Sequence, residues 1–132
     1  MPTASYAKFQ PALELMLEGG NVGTETYALK CATGINLTAG TITEVASGGG
    51  YTTGGVAVTV ASAAQSAGTY TLTLTQPTNP IWTATTGFTF QYVVLVGSVS
   101  GNIAGWDYGS SQAVAAAETV SVTLTTVFTI MS

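Results

Sequence analysis

Residues 87–97 read Gly-Phe-Thr-Phe-Gln-Tyr-Val-Val-Leu-Val-Gly and change pattern halfway along. Phe88, Phe90 and Tyr92 alternate with Thr89 and Gln91; Val93, Val94, Leu95 and Val96 then follow without a polar break. Successive side chains of a strand point to opposite faces, so a strand covered on one face alternates and a strand covered on both does not. The stretch predicts a central strand, half open at its start and buried on both faces at its end. Any fold for this chain must cover both faces of residues 93–96.

The rest of the chain reads as shorter strands broken by turns. Tyr27, Leu29 and Cys31 alternate with Ala28 and Lys30, and residues 41–45 form a second short extended segment. Val56, Val58 and Val60 face Tyr70, Leu72 and Leu74 across a predicted hairpin, whose loop takes residues 63–68. A Thr-x-Thr row flanks that second strand, but one such row is too little for an ice-binding face. Pro77 and Pro80 exclude a central strand between them. Residues 81–84 give a short strand, 103–108 another, 110–117 a loop, and 118–126 a last alternation that Phe128 and Ile130 continue. Ahead of all this, Tyr6, Phe9, Leu13, Met16 and Leu17 recur at helical spacing. Pro11 and Gly19-Gly20 set bounds for a short helix over about residues 10–18. The expected fold is all-β: an antiparallel β-sandwich, jelly-roll-like or Ig-like, of about eight strands with one short N-terminal helix. Residues 1–9 form an N-terminal arm, and residues 10–132 a single domain.

Composition excludes several functions. Of 132 residues only 6% are charged; Lys8 and Lys30 are the only cations, and the formal net charge is −4. Nucleic-acid affinity comes largely from Lys and Arg neutralising phosphates, so neither nucleic acid nor an anionic membrane surface is an expected partner. No apolar run approaches the ~20 residues of a spanning helix. The first residues lack the basic and apolar regions of a signal peptide. A near-neutral Thr-, Ser- and Gly-rich surface suits a chain packed in an assembly, because weakly charged surfaces associate more readily, and composition fits a secreted β domain equally well.

The chemistry-bearing residues are few. There is no His, hence no imidazole base or ligand. Cys31 is the single cysteine and reads as a small buried hydrophobe. The glycine-rich run at residues 47–55 lacks the Lys-Ser/Thr and the following helix of a phosphate loop, so it reads as a turn that places Tyr51. Glu14 and Glu18 lie one helical turn apart and read as a solvated face. Trp106-Asp107-Tyr108 sets a carboxylate between two aromatics, as carbohydrate-binding sites do, and as a strand end does when Asp caps a turn before Gly109. A glycosidase needs a second facing carboxylate; nothing in the spacing nominates Glu44 or Glu118. The expectation is a non-enzyme without cofactor or metal.

Two blocks carry a family resemblance: Gly50-Tyr51-Thr52-Thr53-Gly54-Gly55, and Gly105-Trp106-Asp107-Tyr108-Gly109. Between them lie Gly68-Thr69-Tyr70, Trp82-Thr83-Ala84-Thr85 and the aromatic-start strand. In this order they resemble a group of small tailed-bacteriophage virion proteins, over roughly residues 9–126. Against that pattern this chain has less charge on its first strand and more Ala after Gln112. The resemblance implies a capsid decoration (cement) protein, or another small head or tail component. Its partner would be the major capsid protein and its assembly a homo-oligomer, with a trimer favoured. It would lie on the virion's capsid surface after assembly in the bacterial host cytoplasm. Candidate interface residues are Tyr6, Phe9, Tyr51, Trp82, Trp106, Asp107 and Tyr108. The competing reading is a carbohydrate- or receptor-binding β module of a phage tail or fibre.

Overall fold

The computed structural model describes residues 4–9, 25–67, 69–75, 79–124 and 128–131. The sequence-predicted helix over residues 10–18, with Glu14 and Glu18, lies outside them. The described residues contain strands and turns and no helix. In chain order the strands are β1 (Ser5–Lys8), β2 (Tyr27–Asn36), β3 (Thr41–Glu44), β4 (Val56–Ser66), β5 (Thr69–Thr75), β6 (Trp82–Thr83), β7 (Gly87–Gly97), β8 (Gly101–Ala115), β9 (Thr119–Val120) and β10 (Phe128–Met131).

Every pairing is antiparallel. One sheet runs β1-β8-β7-β2-β4-β5-β10, with β3 also on β2, and β6 and β9 form a small second sheet. The long sheet curls because β4 changes partner: residues 56–58 pair with β2 and residues 59–66 pair with β5, with a register shift between Val60 and Ser62. The result is all-β and sandwich-like, around one cluster that takes Leu29 and Cys31 from β2, Leu72 and Leu74 from β5, and Trp82 and Val120 from the small sheet.

β7 occupies the middle. Its second half pairs with β2 on one edge and with β8 on the other. Val93, Val94 and Leu95 are fully buried, while Thr89 is exposed between buried Phe88 and Phe90. The change of pattern in the sequence is thus a change from one covered face to two. No neighbouring copy is needed to cover residues 93–95, because they are buried within the single chain.

Three boundaries differ from the sequence reading. Residues 110–115 belong to β8, where β7 residues 87–90 pair with residues 112–115. Residues 63–66 belong to β4, so Ser66 pairs with Thr69, and Ala67 after it has φ 50°. In both runs Ala, Ser and Gln have little strand preference of their own, and the partner strand imposes the conformation. Residues 121–124 are not a strand, although Val122 is buried as its alternation predicts. Asn79 holds that run instead: its amide donates to the Val122 carbonyl (3.3 Å), and its Oδ1 accepts the Val122 N–H (3.1 Å).

The β7–β8 turn is clasped from inside. Glu25 is buried, and its Oε1 accepts the N–H groups of Val99 (3.2 Å) and Ser100 (3.0 Å). Its Oε2 accepts the Ser100 hydroxyl at 2.6 Å, and Ser100 is itself fully buried. Removing this carboxylate strands three donors, each costing about 1–3 kcal/mol when buried without a partner. Glu25→Ala is expected to lower the urea midpoint by the equivalent of at least about 2 kcal/mol with an unchanged slope. Glu25→Gln, which keeps one acceptor oxygen, should lose less. Equal losses in the two variants would show that the clasp contributes nothing beyond side-chain volume.

Candidate interaction surface

The seven candidate residues divide by burial. Phe9 (2% exposed), Tyr51 (2%) and Trp82 (4%) are core, whereas Tyr6 is 40% exposed and Trp106, Asp107 and Tyr108 are half-buried. Aromatic type alone does not separate an interface anchor from a core anchor, since both gain from burying a large ring. As folded, Phe9, Tyr51 and Trp82 offer almost no surface to a partner.

Tyr51 locks the glycine-rich loop to the sheet. Its hydroxyl accepts the N–H of Cys31 (3.0 Å) and donates to Glu44 Oε1 (2.8 Å). The same Glu44 oxygen accepts the Gly54 N–H at 2.6 Å, and Oε2 lies 3.5 Å from the Lys30 ammonium. Gly49 presses on β7, where its carbonyl accepts the N–H groups of Thr85 (2.8 Å) and Gly87 (3.2 Å). Both Gly49 (φ +66°) and Gly55 (φ +73°) lie in the left-handed region, and a Cβ on either would collide with backbone carbonyl oxygen, of Gly87 and Leu29 respectively. The glycines therefore serve close backbone approach; the loop does not open as a phosphate cradle.

Four rings join the two resemblance blocks, and Trp82 adds a fifth beyond Tyr51. Trp82 to Tyr51 is 5.8 Å, Tyr51 to Phe88 5.8 Å, Phe88 to Phe90 6.1 Å, and Phe90 to Tyr108 5.3 Å, the last edge-on at 80°. These separations fall in the favourable range for aromatic pairs, each contributing about 0.5–1.5 kcal/mol beyond burial. Tyr51 in the first block and Tyr108 in the second are thus the ends of one packed interior chain through β7.

Asp107 caps a turn. β8 carries extra residues between Asp107, opposite Tyr92, and Gln112, opposite Phe90. Gly109 takes φ +83° in this excursion, and its N–H donates to Asp107 Oδ1 at 2.7 Å. The same oxygen accepts the Gln91 amide at 3.0 Å. Glu118 does similar work, its Oε2 accepting the Ala115 N–H at 2.7 Å. All four carboxylates among the described residues (Glu25, Glu44, Asp107 and Glu118) therefore accept a backbone N–H in or beside a turn or loop. Sequence reading found this role for Asp107 and missed it for Glu25 and Glu44. A Glu at the edge of a strand in a chain this poor in charge was the available signal.

What faces solvent is a small aromatic patch. β1 pairs with β8 from Ser5 opposite Asp107 to Lys8 opposite Ala104. Tyr6 lies against Trp106 across this pairing, with ring centroids 5.7 Å apart and planes tilted by 58°. No group of three or more His, Cys, Asp or Glu side chains able to hold a metal occurs among the described residues. No family model, curated protein or solved structure matches this chain.

Burial pushes the Cys31 thiol well above its ordinary range, and the Glu44 charge adds to the shift. Burial likewise pushes up the Tyr51 phenol; the Cys31 N–H opposes this and Glu44 reinforces it. The thiolate is the reactive form of cysteine, so a raised thiol stays inert where a free one reacts. Native Cys31 is expected to react with a disulfide reagent at least on the order of a hundredfold more slowly than the urea-unfolded chain, even at about pH 9. Full native reactivity would contradict the packing of Tyr51 over β2. Tyr51→Phe keeps the ring but leaves the buried Cys31 N–H without its acceptor, and should cost about 1–3 kcal/mol in urea unfolding. Tyr51→Ala should cost about 3–5 kcal/mol and speed Cys31 labelling.

Proposed function

We propose that this chain is a bacteriophage virion structural protein: a capsid decoration (cement) protein that binds the major capsid protein from outside as a homotrimer and stabilises the shell. Its place would be the capsid surface, reached after assembly in the bacterial host cytoplasm. The observation that carries the proposal is the commitment of the charged side chains. The four described carboxylates are bonded within turns and loops, and Lys30 pairs with Glu44. Charged residues are few, 6% of the chain, and those described are held in place by these bonds, which suits a subunit packed in a crowded lattice. The order of the Gly-Tyr-Thr-x-Gly-Gly and Gly-Trp-Asp-Tyr-Gly blocks supports the same reading. The Tyr6–Trp106 patch offers the aromatic contact that interface cores favour.

A ligand that binds the assembled shell and not the free subunit stabilises the shell by linkage. Purified chain is therefore expected to bind capsids that lack it and to raise the temperature at which they break open. Quantitative mass spectrometry of purified virions should find it in hundreds of copies per particle, an expectation scaled to a role on every face of the lattice. A handful of copies would place it in the tail or portal, and absence from virions would end the proposal. Trp106→Ala, with its fold checked by circular dichroism, should weaken capsid binding by about tenfold or more if the patch is an anchor.

A further inference from the structure

We propose that β1 is exchanged between copies of this chain, each copy's residues 5–9 occupying the seat on a neighbour's β8 that its own arm fills when the chain is alone. The inference goes beyond the virion role and does not depend on it. The arm is a separable piece. Among the described residues β1 pairs with β8 and with no other strand, at one end of the sheet order. The central contact of β7 with β2 and with the rest of β8 forms without it.

The seat is specific. Gly105 carries no side chain, and the Phe9 ring lies 3.6 Å from where its Cβ would stand. The Phe9 N–H donates to the Ile103 carbonyl at 2.9 Å, and Tyr6 covers Trp106. These contacts are the same whether arm and seat belong to one chain or to two, so exchange costs no native interaction.

The connection to β2 is longer than closure within one chain requires. Lys8 lies opposite Ala104, Ala104 opposite Leu95 and Leu95 opposite Leu29, so the arm ends at the same end of the sheet at which β2 begins. Three inter-strand steps separate them, about 14 Å. Glu25 and Thr26 are already held at the β7–β8 turn, so the fifteen residues 10–24 bridge that gap. Fully extended they reach ~50 Å, and with the sequence-predicted helix formed still ~33 Å, well beyond the gap. A tether of this length holds its own arm at an effective concentration on the order of millimolar. Dilute chains therefore keep their arms, and exchange sets in when neighbours are crowded to similar concentrations. Arm and seat are different surfaces, so exchange is head-to-tail and closes as a reciprocal pair or a ring, a trimer included.

The test mixes two singly substituted chains, Ser5→Cys and Asp107→Cys. Partner positions of an antiparallel pair lie about 4.5–5.5 Å apart at Cα, within disulfide range. Buried Cys31 does not compete. After mild oxidation, non-reducing electrophoresis should show linked pairs containing one chain of each kind. Their yield should rise by on the order of fiftyfold or more between ~10 µM and ~5 mM protein, and neither variant alone should form them. The doubly substituted chain serves as control by closing internally when dilute. Because Asp107 also caps a turn, the same cross is run with Tyr6→Cys and Trp106→Cys. Absence of mixed linked pairs at every concentration in both crosses, while the double variants close internally, would overturn the proposal. Failure of both double variants to close at all would remove the β1–β8 pairing, and the proposal with it.

Discussion

The structure depends on placing residues 93–95 where no water reaches them. A backbone segment buried on both faces must find partners for its N–H and C=O groups along both edges, since an unpaired one costs about 1–3 kcal/mol. β2 supplies one edge and β8 the other. The remaining devices keep those two strands in register with β7. Glu25 closes the β7–β8 turn from inside, Asn102 donates its amide to the Gly40 carbonyl (2.7 Å) and so ties β8 to the β2–β3 turn, and Phe9 fills the space above Gly105. The short elements at the periphery thus serve a strand that none of them extends.

Charge is spent in the same cause. A carboxylate accepting an N–H makes a charge-assisted bond, roughly twice as strong as a neutral one. Turns expose the N–H groups that strand ladders do not use, so a chain with few carboxylates gains most by putting them there. Glu25, Glu44, Asp107 and Glu118 all follow that rule. The choice leaves the strands' outer faces to Thr, Ser and Ala, and a surface of that kind stays wetted without strongly repelling its neighbour.

How much of this was legible varied with how much of the signal was local. β7 was readable as far as Leu95, because alternation and its loss are written in the residues that are buried; Val96, expected to be covered on both faces, is half-buried. The second half of β8 was not. Residues 112–115, Gln-Ala-Val-Ala, have weak strand preference and are held by β7 alongside them. The same holds for residues 63–66 against β5. Among the candidate site residues, the turn role of Asp107 was legible because Asp followed two residues later by Gly favours a local bond to backbone. Whether an aromatic points in or out was not, because Trp82 and Trp106 sit in equally polar surroundings in sequence and differ only in what the fold brings over them. The glycines of residues 47–55 announced close approach or an unusual φ, and the partners at Gly87 and Leu29 lie some 40 and 25 residues away.

An open sheet with a neutral surface carries a risk, since unpaired strand edges recruit other chains indiscriminately. The outer run of β8 shows how that risk is contained here. Gln112 turns its amide onto the Ser110 carbonyl (2.8 Å), Glu118 occupies the Ala115 N–H, and the excursion after Asp107 breaks the register between them and the β1 seat. A strand arriving along residues 110–115 meets backbone groups already taken and a bent edge. Residues 104–107, by contrast, keep a straight register with β1, and the Phe9 ring packs over Gly105 beside Ile35. If arms are exchanged as proposed, this is the run of β8 at which a second copy's arm would fit.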